Sequence, residues 1–63
     1  MMEYYVCWHD TKTGIRNVSI YRCNSSDEAR QMWTNNLNPY CYPVAIDFIT
    51  TNKGQADGFR FGR

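Results

Sequence analysis

The sequence predicts a small α+β domain with the order strand, strand, helix, strand. Three observations lead to this class. Two segments rich in aromatic and β-branched residues flank a turn that ends in Gly14, which is typical of a β-hairpin. An apolar stripe at helical spacing follows, and then a short segment of alternating apolar residues. The simplest arrangement is a three-stranded antiparallel sheet in the order 2-1-3, with one helix packed on one face.

The first strand is predicted over residues 3–9 and the second over residues 15–23, joined by a loop at residues 10–14. Asp10 favours a turn because its side chain can accept hydrogen bonds from the next backbone amides. Gly14 can take a positive φ at the end of the loop. These features predict a hairpin in which His9 and Ile15 face each other.

The register of this hairpin decides which side chains share a face of the sheet. With Val6 opposite Val18, the strongest apolar residues of both strands fall on one face. Tyr5 and Tyr21 then fall on the other face, together with several polar residues and Ile49 of the third strand. Because one helix covers only one side of a sheet, we expect this second face to be bare in a monomer.

The helix is predicted over residues 26–37. Ser25 and Glu28 have the spacing of an N-terminal capping box, and Pro39 cannot continue the helix because it lacks a backbone N–H. The apolar stripe that would face the sheet consists of Ala29, Met32, Trp33 and Leu37. These spacings of three and four residues are those of an amphipathic helix.

The third strand is predicted over residues 44–50, where apolar residues alternate. After it the chain becomes polar and rich in glycine, and it ends in alternating aromatic and basic residues. We therefore expect residues 1–51 to form the single domain. Residues 52–63 are expected to be a C-terminal tail that is flexible or becomes ordered on a partner.

Composition narrows the classes of function. The chain has 63 residues, of which 43% are hydrophobic, so a packed core is expected rather than disorder. The formal net charge of +1 excludes a strongly basic footprint for nucleic acid. Three cysteines are an odd number, and neither a secretory signal nor an apolar membrane span is visible. We expect a cytoplasmic protein with reduced thiols and no membrane partner.

Metal binding and catalysis are not expected. Cys7, His9, Cys23 and Cys41 are metal-ligating residue types, but their spacing matches no zinc motif. Cys7 and Cys23 fall roughly 16 Å apart along the predicted hairpin, estimated from the rise per strand residue. His9 and Asp10 point to opposite faces of a strand, and no third group orients a Cys7–His9 pair. The sequence therefore predicts no metal, no cofactor, no catalytic residue and no enzymatic activity.

Aromatic residues make up 16% of the chain, which is more than one small core can use. Aromatic and arginine side chains are enriched at the energetic centres of protein interfaces. The predicted partner-binding surface consists of Tyr5, Tyr21, Tyr40, Tyr42, Ile49, Phe59, Arg60, Phe61 and Arg63. We therefore expect a non-catalytic protein-binding module that also forms a homodimer through its bare sheet face.

The alternative is a protein that binds single-stranded nucleic acid through an aromatic sheet face and the Arg/Phe tail. In its size, its strand-strand-helix-strand plan and its lack of catalytic groups, the chain resembles small accessory proteins of bacteriophages and mobile elements. That resemblance implies an inhibitor that binds a host enzyme or defence factor. It assigns no role to any individual residue.

Overall fold

The computed structural model describes residues 1–62. Over these residues the chain forms β1 (Met2–Asp10), β2 (Arg16–Cys23), α1 (Ser26–Leu37), β3 (Val44–Thr50) and α2 (Lys53–Arg60). The strands form one antiparallel sheet in the order β2-β1-β3. The predicted α+β class and strand order are thus confirmed, and the described chain has a second helix in addition to the predicted one.

The first helix begins as the capping-box spacing predicts. The Ser25 hydroxyl accepts a hydrogen bond from the Glu28 amide at 3.2 Å, and the Glu28 carboxylate accepts one from the Asn24 amide at 3.1 Å. Both bonds satisfy backbone donors that have no partner within the helix. The helix ends at Asn38, whose φ of 47° lies in the left-handed region that asparagine tolerates.

The first core lies between α1 and the sheet. Val6, Ala29 and Trp33 are buried in it, and the Trp8 ring packs on the Trp33 ring with 6.2 Å between centroids. The Trp8 indole nitrogen donates a hydrogen bond to the Ser19 hydroxyl at 2.9 Å. The predicted stripe of α1 therefore faces the sheet, although its Met32 is largely exposed.

The register of the hairpin differs from the predicted one by a single residue. His9 pairs with Arg16, and Val6 pairs with Ser19 rather than with Val18. The side-chain period of a strand is two residues, so this shift moves every β2 side chain to the other face. The hairpin prediction was correct in its elements and wrong in its register.

The loop explains the shift. Asp10 rather than His9 lies across from Ile15, because the Asp10 amide donates to the Ile15 carbonyl at 2.9 Å, and this pair encloses residues 11–14, one fewer than predicted. The Asp10 carboxylate accepts hydrogen bonds from the Lys12 and Thr13 amides at 2.8 and 3.1 Å. Gly14 closes the loop with a φ of 76°, a conformation that glycine adopts without steric cost.

A β-bulge in β3 places Asp47 as an extra residue between two paired residues of the strand. Phe48 consequently lies opposite Cys7, and Ile49 lies opposite Val6. The bulge therefore exchanges the faces expected from simple alternation: Ile49 packs on the first core, and Phe48 packs on the other side of the sheet.

The second helix, α2, covers the sheet face that was expected to be bare. Its N-cap is Asn52, whose side chain accepts a hydrogen bond from the Gln55 amide at 3.1 Å. Tyr5 and Cys7 of β1 and Ala56 of α2 itself are buried between the helix and the sheet and form a second core. The segment expected to be a flexible or partner-ordered tail therefore forms a helix against the domain itself.

Aromatic contacts hold α2 in place. The Phe59 ring packs edge-on against the Phe48 ring with 5.4 Å between centroids. The Arg16 guanidinium lies 5.1 Å from the centroid of the Phe59 ring and donates a hydrogen bond to the Phe59 carbonyl at 3.3 Å. One arginine thus satisfies a carbonyl near the end of the helix and makes a cation–π contact with the same residue.

Candidate functional site

Four of the nine residues predicted to bind a partner belong to the two cores. Tyr5 is buried in the second core, and Phe59 packs against it. Tyr21 and Ile49 pack against the first core. The prediction of an exposed surface is wrong for these four residues because α2 covers one face, and the changed register and the bulge move Tyr21 and Ile49 beneath α1.

Four other predicted residues are exposed, in two separate places. Tyr40 and Tyr42, which are 91% and 63% exposed, lie in the connector between α1 and β3. Arg60 and Phe61 lie at the end of α2, and the Phe61 side chain is 70% exposed. The two pairs follow helices that pack on opposite faces of the sheet. The last predicted residue, Arg63, lies outside the described residues.

A groove of about 340 Å³ lies beside the first of these pairs. One wall is formed by α1, the other by the first half of β3, and the connector closes one end. Its lining residues are Arg30, Trp33, Thr34, Pro39, Tyr40, Val44, Ala45 and Ile46. An apolar floor with a small number of polar groups at its walls is the usual composition of a binding pocket.

The connector is a tight turn that fixes Tyr40 at the rim of the groove. The Asn38 carbonyl accepts hydrogen bonds from the amides of Cys41 and Tyr42 at 2.9 and 3.2 Å. The Pro43 carbonyl accepts one from the Thr11 amide at 2.8 Å, which ties the connector to the hairpin loop. Tyr40 therefore stands in water on an ordered piece of backbone.

Charge and burial differ sharply across the groove. Arg30 is exposed and is the one charged residue in the lining. Trp33 is only 2% exposed, and its indole N–H has no hydrogen-bond partner among the described residues. The groove therefore combines a rigid aromatic floor with a cationic wall.

Sequence reasoning did not select Arg30, Trp33 or Thr34 as binding residues. A signal for them exists, since Arg30 and Thr34 lie three residues before and one residue after Trp33 and therefore flank the apolar stripe of α1. The connector Pro39-Tyr40 follows the end of the same helix. Trp33 was correctly expected in the core, and it also forms the floor of the groove.

The candidate catalytic and metal-ligating residues are arranged differently. The Cys7 side chain is completely buried, and its pKa is raised by burial and also by the charge of Asp47. The thiol is therefore protonated at neutral pH. His9 Nδ1 lies 2.7 Å from Asp47 Oδ2, which is hydrogen-bond distance, at the surface of the sheet. Within residues 1–62 no three His, Cys, Asp or Glu side chains gather closely enough to hold a metal ion.

The sheet offers no exposed aromatic platform for stacking bases. Tyr5 lies beneath α2, and Tyr21 packs beneath α1, where its hydroxyl accepts a hydrogen bond from the Asn36 side chain at 3.4 Å. Binding of single-stranded nucleic acid through a sheet face needs such side chains in water. The sheet-face part of the nucleic-acid alternative therefore lacks geometric support, whereas Arg60 and Phe61 of its tail part are exposed.

Comparisons with protein-family models, with curated proteins and with solved structures find no match for this chain. Of the helices in the described part of the chain, neither has the length and the apolar character needed to cross a lipid bilayer.

Proposed function

We propose that this protein acts by binding another protein, and that the groove between α1 and β3 receives an apolar side chain of that partner. The observation that carries the proposal is Tyr40. Its side chain is 91% exposed, its backbone is held in an ordered turn, and it stands beside a groove with a buried tryptophan in its lining. A tyrosine side chain has few rotatable bonds and therefore loses little conformational entropy on binding.

The chemistry of the groove indicates what would enter it. An aliphatic or aromatic side chain would contact Trp33, Val44 and Ile46 and would be covered by the Tyr40 ring. A carboxylate next to that side chain would lie near Arg30, the charged residue of the lining. Tyrosine and arginine around a desolvated pocket are the residue types that contribute most to binding energy in protein interfaces.

The partner in this proposal is a different protein rather than a second copy of the chain. A homodimer was expected because one face of the sheet seemed bare, and α2 covers that face. The inhibitor role remains the concrete form of the proposal: a small chain with this plan would block a host enzyme or defence factor by occupying its surface. It is supported by the resemblance in size and plan and by the exposed groove.

Photo-crosslinking tests the proposal. The chain is prepared with benzoylphenylalanine in place of Tyr40, or in place of Met32 as a matched control, and is irradiated in an extract of the cells that carry its gene. Met32 is 41% exposed and lies outside the groove lining. We expect one discrete protein to be crosslinked at position 40 and not at position 32. The intact mass of the crosslinked product is expected to equal that of a one-to-one complex.

The captured protein is then purified, and its affinity is measured for the wild-type chain and for Tyr40→Ala and Arg30→Ala. Each variant is expected to bind roughly tenfold or more weakly, the usual loss at the centre of an interface. Circular dichroism checks that both variants remain folded. Equal affinities for all three chains would contradict the proposal, as would salt-sensitive binding of single-stranded RNA or DNA that competes with the captured protein.

A further inference from the structure

We infer that the outer edge of β2 docks an extended segment of another protein, and that this segment carries acidic side chains opposite Arg16 and Arg22 with apolar side chains between them. This inference goes beyond the groove, because β2 lies at the opposite edge of the sheet from β3. It rests on three features of β2: its unpaired edge, its exposed apolar centre and its two flanking arginines.

Among residues 1–62 no strand pairs with the outer edge of β2. In the order β2-β1-β3, residues Arg16–Cys23 pair on one side only, with β1. Each edge strand exposes a row of backbone N–H and C=O groups that an added strand can pair with. Proteins usually protect such edges with bulges, prolines, charged side chains or a covering helix or loop.

The two edges of this sheet differ in that protection. At the β3 edge, the bulge interrupts the ladder at Asp47, whose exposed carboxylate forms a hydrogen bond with the His9 ring. At the β2 edge, the eight pairs with β1 run without an irregularity, and the strand contains no proline and no acidic residue. The β2 edge is therefore the one that retains a regular template for another strand.

The side chains of β2 define which residues the added foreign strand would carry opposite them. Arg16, Val18, Ile20 and Arg22 alternate along the strand and lie on the face of the sheet that α2 covers in part. Ile20 is 56% exposed although its partner on β1, Tyr5, is almost buried. The strand therefore offers an exposed apolar centre with a cation at each end.

The charges of the two arginines favour a foreign strand. Within residues 1–62 neither arginine forms an ion pair. On the neighbouring strand, Glu3 lies opposite Arg22 and His9 lies opposite Arg16. The Arg16 guanidinium uses one of its five donors on the Phe59 carbonyl, which leaves others for a carboxylate. On the face that α2 partly covers, β2 is therefore cationic at both ends.

A second copy of the chain fits this edge poorly. Two-fold antiparallel self-pairing places one residue opposite its own copy, and seven residues of β2 pair when that residue is either Ser19 or Ile20. With Ser19 there, Arg16 of each copy faces Arg22 of the other, which brings like charges together at both ends of the ladder. With Ile20 there, Arg22 faces Val18, and in neither register does an arginine meet a carboxylate, because β2 has no acidic residue. Positions opposite Arg16 and Arg22 on a foreign strand are six residues apart. The favoured segment therefore reads acidic-x-apolar-x-apolar-x-acidic.

A synthetic peptide tests the inference with the full chain. The probe is Thr-Glu-Thr-Ile-Thr-Val-Thr-Glu-Thr, and its matched control has lysine in place of both glutamates. NMR titration is expected to show shifts in the amide signals of β2, slower hydrogen exchange of its outward amides and binding that is at least several-fold tighter than for the lysine peptide. Each opposite-charge pair across two strands is expected to contribute roughly two- to fivefold.

Two variants and a modified peptide make the test specific. Arg22→Glu is expected to reverse the preference, so that it binds the lysine peptide better than the glutamate peptide. Methylation of the peptide's backbone nitrogens is expected to abolish binding, because the ladder hydrogen bonds are lost. Tyr40→Ala is expected to bind the peptide as the wild type does, which separates this inference from the proposed role of the groove.

Three results would overturn the inference. The first is equal binding of the glutamate and lysine peptides. The second is a titration in which only the amide signals of β3 or of the groove shift. The third is concentration-dependent protection of the β2 amides in the chain alone, with a dimer in sedimentation, since that would identify a second copy as the occupant.

Discussion

Val6 and Cys7 are consecutive residues of β1, and both side chains are completely buried on opposite faces of the sheet. A strand points successive side chains to opposite sides, so this pair shows that the central strand is covered on both faces. Each face is covered by its own helix, α1 over Val6 and α2 over Cys7.

The first core depends on Trp33. Replacing it by alanine removes the largest buried side chain of α1 and leaves a cavity, so Trp33→Ala is expected to lower the free energy of unfolding by about 3 to 5 kcal/mol. Urea unfolding followed by circular dichroism measures the loss. Met32→Ala is the control, because this neighbour is largely exposed and should cost less than about 1 kcal/mol. Similar losses for both variants would contradict the assignment.

The second core depends on the docking of α2 through Phe59. Phe59→Ala removes the edge-on contact with Phe48 and is expected to cost about 2 kcal/mol, less than a fully buried ring would. Because α2 covers Cys7, the variant should also expose this thiol to an aromatic disulfide reagent. The labelling rate is measured in a Cys41→Ser background, which removes the one exposed thiol.

Phe61→Ala is the matched control for this experiment, since Phe61 follows the same helix but is 70% exposed. It should leave both the stability and the labelling rate unchanged. If Phe59→Ala labels Cys7 no faster than the wild type does, α2 is not what protects the thiol.

The buried Cys7 thiol leads us to expect a loss of folding stability at alkaline pH. Burial raises the pKa of its thiol in the folded state, so above the unfolded pKa of about 8.5 the unfolded chain loses this proton first. Deprotonation then favours unfolding, and the stability falls as the pH rises toward the folded pKa. Urea titrations from neutral pH upward should show a steeper decline for the wild type than for Cys7→Ala. Parallel declines would show that the buried thiol does not titrate in this range.

The Asp10 carboxylate leads us to expect a loss of folding stability at acid pH. Hydrogen bonds from the amides of Thr13 and Lys12 hold the pKa of this carboxyl below its usual value. The stability that the carboxylate contributes is present above the unfolded pKa of about 3.9 and is lost as the pH falls through the folded pKa. Asp10→Asn keeps an acceptor oxygen but cannot titrate, so its difference from the wild type should shrink toward acid pH.

The comparison is made by thermal unfolding at several acid pH values. Asp10→Ala removes the acceptor as well and should be less stable than Asp10→Asn at every pH, because the Lys12 and Thr13 amides lose their partner. If the wild-type chain remains more stable than Asp10→Asn by a constant amount down to strong acid, the role assigned to the carboxylate is contradicted.

Local signals in the sequence were sufficient to locate most of the elements. The capping residues Ser25 and Glu28 predicted the start of α1, and alternation predicted β3, because each signal acts through neighbours in the chain. The strand order was also predicted, since a short hairpin and a crossover leave few arrangements. These parts required no knowledge of distant contacts.

Two features of the fold, the hairpin register and the helix α2, could not be predicted from local signals. The register of the hairpin depends on hydrogen bonds within the Asp10 loop, and a change of one residue reverses the faces of β2. The helix α2 contains Gly54 and Gly58, which have low helix propensity, so its stability comes from packing on the sheet. Asn52 with Gln55 three residues later has capping spacing and was the available local signal.

The candidate groove was predictable only in part. The exposed Tyr40 and Tyr42 were selected from the surplus of aromatic residues. The remaining aromatic residues of the predicted surface were assigned to the wrong environment, because the composition of a chain does not say which aromatic side chains a second helix will bury. Arg30 lines the groove because the fold places α1 beside β3.

The bulge at Asp47 has a consequence for changes in chain length. Trp8 pairs with Ile46, and Cys7 pairs with Phe48, so Asp47 has no partner of its own in the ladder. Deleting one residue within a strand normally turns every later side chain to the wrong layer. Deleting Asp47 would instead leave those two pairs adjacent in a regular ladder, with the loss of the hydrogen bond between Asp47 and His9. Homologous chains are therefore expected to show a one-residue alignment gap at this position more readily than anywhere else in the sheet.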